Sequence, residues 1–117
     1  MPVTQLAVDS ARFREGIKLF NSGEFFEAHE VLEDVWCAAP AAENRFLQGL
    51  IQVAVALHHH SKENRVGARS LLARARRNLS GYPDEFGGIF LKPLLKSLAE
   101  WQEALEDGKP TPPLPRI

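Results

Sequence analysis

A histidine and a glutamate lie one helical turn apart in the acidic stretch EAHEVLEDVW, residues 27–36. At about 100° per residue, His29 falls on the apolar arc of a helix, beside Phe25 and Trp36. Glu33 falls at the edge of that arc. A carboxylate near a core is costly unless it is paired and hydrogen-bonded, so His29 and Glu33 are candidates for a functional site. Three further acids fall on the opposite side and are expected to face solvent: Glu27, Glu30 and Asp34.

A second polar stripe runs through the apolar segment 42–60. Gln48, Gln52 and His59 share one narrow side of the predicted helix, and the rest of its circumference is apolar. A helix of this kind lies in the middle of a fold, where a polar stripe must reach solvent or meet polar partners. We therefore predict a polar cluster between the second and third helices, formed by His29, Glu33, Gln52 and His59.

Such a cluster could have one of three roles. Two histidines and a glutamate from facing helices are enough ligands for a divalent metal. A paired histidine and glutamate can instead perform acid–base catalysis, as in a small hydrolase. The reading we favour is a hydrogen-bonded network without a cofactor that fixes the helix register. His29, Glu33 and His59 remain the candidates for the metal and catalytic alternatives, whereas His58 and His60 are expected to be incidental because adjacent helical residues diverge.

The segment 64–79 contains five arginines and no acid. Arg65, Arg69 and Arg76 lie close to one stripe of the predicted helix, a pattern that could hold phosphates or an RNA backbone. The segment has no interleaved aromatic residue for base stacking, which disfavours nucleic acid. We expect these arginines to be solvated or to pair with nearby acids such as Glu27, Glu30 and Asp34.

The bulk composition is that of an ordinary globular protein. The chain has 117 residues, a hydrophobic fraction of 44% and a net charge of -1, so no electrostatic bias toward nucleic acid or membrane is expected. The single cysteine, Cys37, rules out an intrachain disulfide and fits a reducing compartment. The first residues do not resemble a secretory signal, and the apolar run 49–57 is too short to span a membrane. We expect a cytoplasmic protein without membrane association.

The periodicity predicts five helices and no strands. Asp9 or Ser10 is expected to cap the first helix, and Asn21-Ser22-Gly23 to end it. The other helices are predicted at about 24–37, 42–60, 64–79 and 88–107. The fold class is therefore all-α, a compact bundle whose first two helices form an antiparallel hairpin. We divide the chain into one helical domain, residues 1–109, and a proline-rich, extended and poorly packed tail, residues 110–117.

Several spaced motifs resemble a known family. LFNSGEFFEAHEVLEDVW, FLQGLIQVAVALHH and NRVGARSLL follow one another in the order found in the family called domain of unknown function 309. The resemblance covers residues 12–79 and implies a compact bundle of about five helices with a first hairpin like that of a tetratricopeptide repeat. His58 departs from the family, which often has an aromatic residue there. The family's signature positions map onto Asn21, Gly23, Glu27, Ala28, His29, Glu33, Trp36, Gly49, Gln52, His59, Asn64, Gly67 and Ala68.

The function that we favour from these patterns is a non-enzymatic binding or scaffold module. Helical hairpins commonly hold peptides or other helices in grooves. The partner is then a protein or peptide, and a homodimer is also possible. The alternatives are the metal-dependent or acid–base hydrolase and RNA or phosphate binding by the fourth helix. Asn64 is expected to cap that helix, and Gly67 to let two helices approach closely. The expected binding residues are Gln52, Trp36, Arg65 and Arg69.

Overall fold

The computed structural model describes residues 7–117, and the first six residues of the predicted domain lie outside it. Five α-helices dominate this part of the chain, which confirms the all-α fold class. The expectation of no strands is wrong, because a short antiparallel hairpin lies between the fourth and fifth helices. The elements are a 3₁₀ helix (Ala7–Asp9), α1 (Ala11–Asn21), α2 (Phe25–Cys37), α3 (Ala41–Ser61), α4 (Arg65–Leu79), β1 (Glu85–Phe86), β2 (Ile89–Phe90) and α5 (Leu91–Asp107).

The helix boundaries follow the capping residues. The Ser10 hydroxyl accepts the N–H of Phe13 at 3.1 Å, and the Asn64 side chain accepts the N–H of Gly67 at 3.0 Å, so both caps are confirmed. A Cβ on Gly67 would lie 2.7 Å from Asn64 Nδ2. The expectation that Gly67 serves helix–helix packing is therefore wrong, because its bare Cα makes room for the cap of its own helix.

Each helix packs against the next one in chain order, with the largest interface between α3 and α4. The connections between α1, α2, α3 and α4 are three residues each, which makes neighbouring helices antiparallel. The predicted α1–α2 hairpin is confirmed. Glycines lie where two helices approach most closely: a Cβ on Gly16 would be 2.8 Å from Leu32 Cδ2, and one on Gly49 would be 2.7 Å from Leu79 Cγ.

The core surrounds α3, as its apolar circumference predicts. Glu43, in the first turn of α3, is the one buried charged residue of the chain from residue 7 onward. Its carboxylate accepts the backbone N–H groups of Ala7 at 3.2 Å and Val8 at 3.0 Å. Because a carboxylate can accept several hydrogen bonds, this one side chain provides acceptors for the first two N–H groups of the 3₁₀ helix. It thereby joins the 3₁₀ helix to α3. Glu43 was not among the residues predicted from the sequence to form a site.

The β-hairpin is fastened to α3 by aromatic residues. The rings of Tyr82 and Phe86 lie 5.6 Å and 4.8 Å from that of Phe46, which is fully buried. The Tyr82 hydroxyl donates to the carbonyl oxygen of Ala42 at 2.9 Å and accepts the N–H of Phe46 at 3.0 Å. The hairpin occupies the first residues of the predicted fifth helix, so α5 begins at Leu91 rather than at 88.

The last ten residues contain no helix or strand, as expected of a proline-rich segment, but they are not loosely attached. Pro115 is buried, and the backbone N–H of Ile117 donates to Asn21 Oδ1 at 2.7 Å. The expectation of poor packing therefore fails at Pro115 and Ile117, whereas residues 110, 111, 113, 114 and 116 are exposed. The division between a helical domain and a separate tail stays a prediction.

Candidate functional site

The exposed side of α2 is set by what the helix buries. Phe25, Ala28, Val31, Leu32 and Val35 face the core. The opposite side carries an aromatic ring and acids at helical spacing, so these side chains form one strip of surface. We call this strip the α2 face: Phe26, Glu27, His29, Glu30, Glu33 and Asp34.

Phe26 is the aromatic residue of the α2 face, and 47% of its surface is exposed. Its ring lies against two histidine rings, with centroids 4.9 Å from His29 and 5.2 Å from His58 on α3. His58, which was expected to be incidental to a metal or catalytic site, supports Phe26 from the neighbouring helix. An aromatic ring that is half exposed yet held on two sides presents a rigid apolar contact to solvent.

His29 is fixed by a backbone hydrogen bond. Its Nδ1 is bonded to the carbonyl oxygen of Phe26, and because that oxygen can only accept, Nδ1 carries the proton. The other nitrogen, Nε2, lies 3.9 Å from Glu33 Oε1. The spacing of one helical turn thus places the second ring nitrogen near the Glu33 carboxylate. The side chain of Glu33 is 54% exposed, so it stays hydrated rather than buried.

The predicted four-residue polar cluster is not formed. Gln52 Oε1 accepts a hydrogen bond from Asn78 Nδ2 of α4 at 2.8 Å, and His59 Nδ1 lies 3.2 Å from Asn64 Nδ2. Only His29 and Glu33 come together. The reason is that α3 lies between α2 and α4, so its polar residues turn to partners other than α2, while Phe26 and His58 occupy the contact with α2.

A metal site built from His29, Glu33 and His59 finds no support in this geometry. From residue 7 to residue 117, no three His, Cys, Asp or Glu side chains are grouped closely enough to hold a metal ion. The same separation leaves His59 without contact to the His29–Glu33 pair in the catalytic alternative, because its Nδ1 faces Asn64. Whether the protein takes a cofactor stays a prediction.

Trp36 and the arginines mainly connect helices. The Trp36 indole N–H donates to Asn44 Oδ1 of α3 at 2.8 Å. Arg65 Nε donates to the carbonyl oxygen of Leu105 near the end of α5, and Arg76 Nη1 donates to Gln102 Oε1 at 2.8 Å. Pairing of these two arginines with acids of α2 is therefore wrong. Of the three arginines on the predicted stripe, Arg69 is the one that stays exposed without such a contact in the described chain.

The acids of α2 instead meet α1. Arg12 Nη2 lies 2.6 Å from Asp34 and Nη1 lies 2.9 Å from Glu15, and these hydrogen bonds, to Asp34 first, raise the pKa of Arg12 above its ordinary value. Arg12 stands at the edge of an open groove of about 580 Å³ between the two helices. The groove is acidic, and it is lined by Arg12, Glu15, Leu19, Glu27, Glu30, Val31, Glu33 and Asp34.

Together, the α2 face and this groove can bind a cationic partner. Exposed carboxylates attract lysine and arginine, and the face of an aromatic ring attracts the same cations. The sequence contained a signal for Phe26 that the helical-wheel reasoning missed. Phe25 and Phe26 are adjacent, successive helical positions point about 100° apart, and α2 has one buried side, so one of the two rings must face outward.

The fold and this site define a class of protein: a small all-α bundle with an acidic, aromatic surface on its first helical hairpin. The chain belongs to the family described as domain of unknown function (DUF309), whose sequence profile matches residues 13–71, half of the chain. This confirms the resemblance found in the sequence motifs.

Two relatives are similar to this chain. An uncharacterised protein of Aquifex aeolicus (strain VF5) is 33% identical over 98 residues, which is 83% of this chain and 29% of the relative. The uncharacterised protein YpuF of Bacillus subtilis (strain 168) is 44% identical over 57 residues, which is 48% of this chain and 33% of the relative. The aligned part of this chain thus spans about a third of the length of each relative. Within residues 7–117, no helix is long and apolar enough to cross a membrane.

Proposed function

We propose that the protein is a non-enzymatic recognition module whose α2 face docks a basic segment of another protein. The observation that carries the proposal is the position of Phe26, half exposed and held between His29 and His58. Burying a large, rigid aromatic ring costs little side-chain entropy on binding, which is why such rings often dominate the binding energy of interfaces.

The charge around Phe26 selects the partner. Glu27, Glu30 and Glu33 lie along the same helix face, and Glu15 adds a carboxylate from α1 across the groove. Of these acids, Glu15 is the one that Arg12 pairs with. A segment with alternating basic and apolar residues fits this surface, because its cations meet carboxylates while an apolar side chain covers Phe26.

The test is a selection of 12-residue peptides from a random library on the immobilised full chain, followed by binding measurements on the enriched peptides. We expect enriched peptides to carry lysine or arginine with an apolar residue. We expect Phe26→Ala to weaken binding by roughly tenfold or more, as loss of an aromatic anchor does. The matched control is Val66→Ala, since Val66 is also exposed and apolar but lies on α4.

Charge is tested separately with Glu33→Gln and Glu30→Gln, which keep the side-chain shape. Each should weaken binding and reduce its dependence on salt. Enriched peptides without basic residues, or peptides that bind Phe26→Ala as well as the wild type, would reject the proposal. We also propose a cytoplasmic location, which is supported by the single exposed cysteine and is tested by the position of a fluorescent fusion in the cell.

A further inference from the structure

The C-terminal residues are held against two helices that are distant in sequence. The Trp101 indole N–H, on α5, donates to the carbonyl oxygen of Pro113 at 3.0 Å. The backbone N–H of Ile117 donates to Asn21 Oδ1 at the end of α1. Trp101 is only 2% exposed, and Pro115, between the two hydrogen bonds, is buried as well. The segment 113–117 therefore lies along a groove bordered by α1 and α5, which buries Pro115 and leaves Pro113, Leu114 and Arg116 exposed.

The far end of this groove is lined by apolar residues together with Asp9 and Arg14. Ile117 packs against the hydrophobic core at a cleft of about 330 Å³ between α1 and the β-hairpin. We call the whole surface under residues 113–117 the tail groove. It includes Trp101, Asn21 and the cleft residues Val8, Asp9, Phe13, Arg14, Ile17, Gly87, Gly88 and Ile89.

The contacts in the tail groove suit one kind of ligand. Both hydrogen bonds involve the backbone of the bound segment: one carbonyl oxygen accepts and one N–H donates. The groove therefore recognises an extended main chain. Proline stiffens a segment in the extended polyproline conformation and leaves its carbonyl oxygens free to accept. An indole N–H beside apolar slots is the means by which proline-rich segments are commonly bound. The side chain of Leu114 stays 51% exposed and contributes little.

The segment that joins α5 to residues 113–117 is short and contains prolines. Gly108 ends α5 with a φ of 69°, and the residues between it and the docked segment include Pro110 and Pro112, so they form a stiff spacer after a single turn. Residues 113–117, held on such a spacer, can leave their own groove and enter the same groove of a neighbouring molecule, and every contact is then remade.

We propose that the tail groove is a binding site for extended proline-rich segments and that it takes, in trans, residues 113–117 of a second copy of this chain. In one chain the attached tail competes at an effective concentration on the order of millimolar, so exchange is favoured only when the tail is released or the protein is concentrated. This surface is separate from the α2 face, and the proposal does not depend on the proposed function.

The first experiment measures binding of a fluorescent synthetic peptide, residues 109–117, to the full chain by anisotropy. In Pro115→Asp, a carboxylate cannot enter the buried position of Pro115, so the attached tail is released and the groove is open. We expect this variant to bind the peptide at least about tenfold more tightly than the wild type, since the competing tail is gone. The matched control is Leu114→Asp, which adds the same charge at the exposed neighbouring position and should behave as the wild type.

The second experiment tests exchange between two copies. Trp101→Phe has an intact tail and a groove without its N–H donor, whereas Pro115→Asp has an intact groove and a defective tail. A mixture of the two should form a one-to-one complex in sedimentation, and neither variant alone should do so at the same concentration. Failure of the mixture to associate, with both variants folded by circular dichroism, overturns the proposal.

A cleavable chain covers the case in which Pro115→Asp does not fold. A protease site inserted after Gly108 leaves the tail and the groove unchanged. After cleavage of the folded protein, the labelled peptide should replace the cut tail. A cut tail that is lost without binding of the peptide, or one that stays bound and never exchanges, shows that these residues are a structural strap and overturns the proposal.

Discussion

The buried carboxylate of Glu43 lies 3.0 Å from the backbone nitrogen of Val8 and accepts its N–H. The two residues are 35 positions apart, and the hydrogen bond joins the start of the described chain to the first turn of the central helix. Val8 is itself part of the core, so this contact also sets the position of an apolar side chain.

Although glutamate is polar, its replacement at position 43 should therefore lower the free energy of unfolding. Glu43→Ala leaves two backbone N–H groups without their acceptor and opens a space in the core, and we expect the free energy of unfolding to fall by about 2–4 kcal/mol. Glu43→Gln keeps one oxygen and the volume and should cost less. Urea denaturation followed by circular dichroism measures both, and equal losses for the two variants would contradict this account.

Glu63 is the one non-glycine residue with a positive φ, 62°, in residues 7–117. It ends α3 in the same way that Gly23, with a φ of 81°, ends α1: in both turns the next N–H reaches back to the helix, from Asn64 to His59 and from Glu24 to Leu19. Glycine adopts this left-handed conformation without the strain of a Cβ atom.

We therefore expect Glu63→Gly to stabilise the protein by about 0.5–1 kcal/mol, and Gly23→Ala to destabilise it by a similar amount. Gly23 is a clean comparison because an added Cβ would meet no atom within 4 Å. The melting temperatures of the two variants should shift in opposite directions. A fall in melting temperature for Glu63→Gly would show that the glutamate side chain contributes more than its backbone strain costs.

Gly49 is a further test of packing. Its missing Cβ makes room for Leu79, whose Cγ would lie 2.7 Å from an added methyl group. Although alanine favours helix, the clash at this fully buried contact should dominate, and we expect Gly49→Ala to cost about 1–3 kcal/mol. In a double-mutant cycle with Leu79→Ala, part of this loss should be recovered, since the smaller side chain leaves space. Additive losses would show that the two residues do not interact.

Tyr82 links the segment before the β-hairpin to α3 by two hydrogen bonds from one hydroxyl. Tyr82→Phe removes both and keeps the ring contacts with Phe46 and Phe86. We expect a loss of about 1–2 kcal/mol and faster hydrogen exchange at the amide of Phe46. Unchanged exchange at that amide, with exchange measured under native conditions, would mean that the hydroxyl is not its partner.

The sequence predicted the helices well because their signals are local. Caps at Ser10 and Asn64, the Asn-Ser-Gly stop after α1 and the apolar circumference of α3 depend only on neighbouring residues and on helical periodicity. The two-residue strands of the hairpin were missed because they are too short to show alternation, and the second strand, Ile89–Phe90, falls within the range predicted for the fifth helix.

The candidate site was predicted only in part. His29 and Glu33 lie on one helix, so their spacing alone places them together, and they do meet. Gln52 and His59 required knowledge of which side of α3 faces α2, and a helical wheel cannot supply the rotation of one helix against another. Phe26 was not singled out, because the helical wheel was used to find polar residues on apolar arcs, whereas many apolar side chains in folded proteins remain exposed.

By itself, the sequence determined that this chain forms an all-α bundle with a short first hairpin, because turns, caps and periodicity act within a few residues. Tertiary structure alone decided the contacts between distant residues. It placed Glu43 against Val8, Trp101 against the backbone of Pro113, and His58 against Phe26. These contacts depend on how helices rotate and stack around a shared core, and that arrangement is a property of the whole packed chain rather than of any one segment.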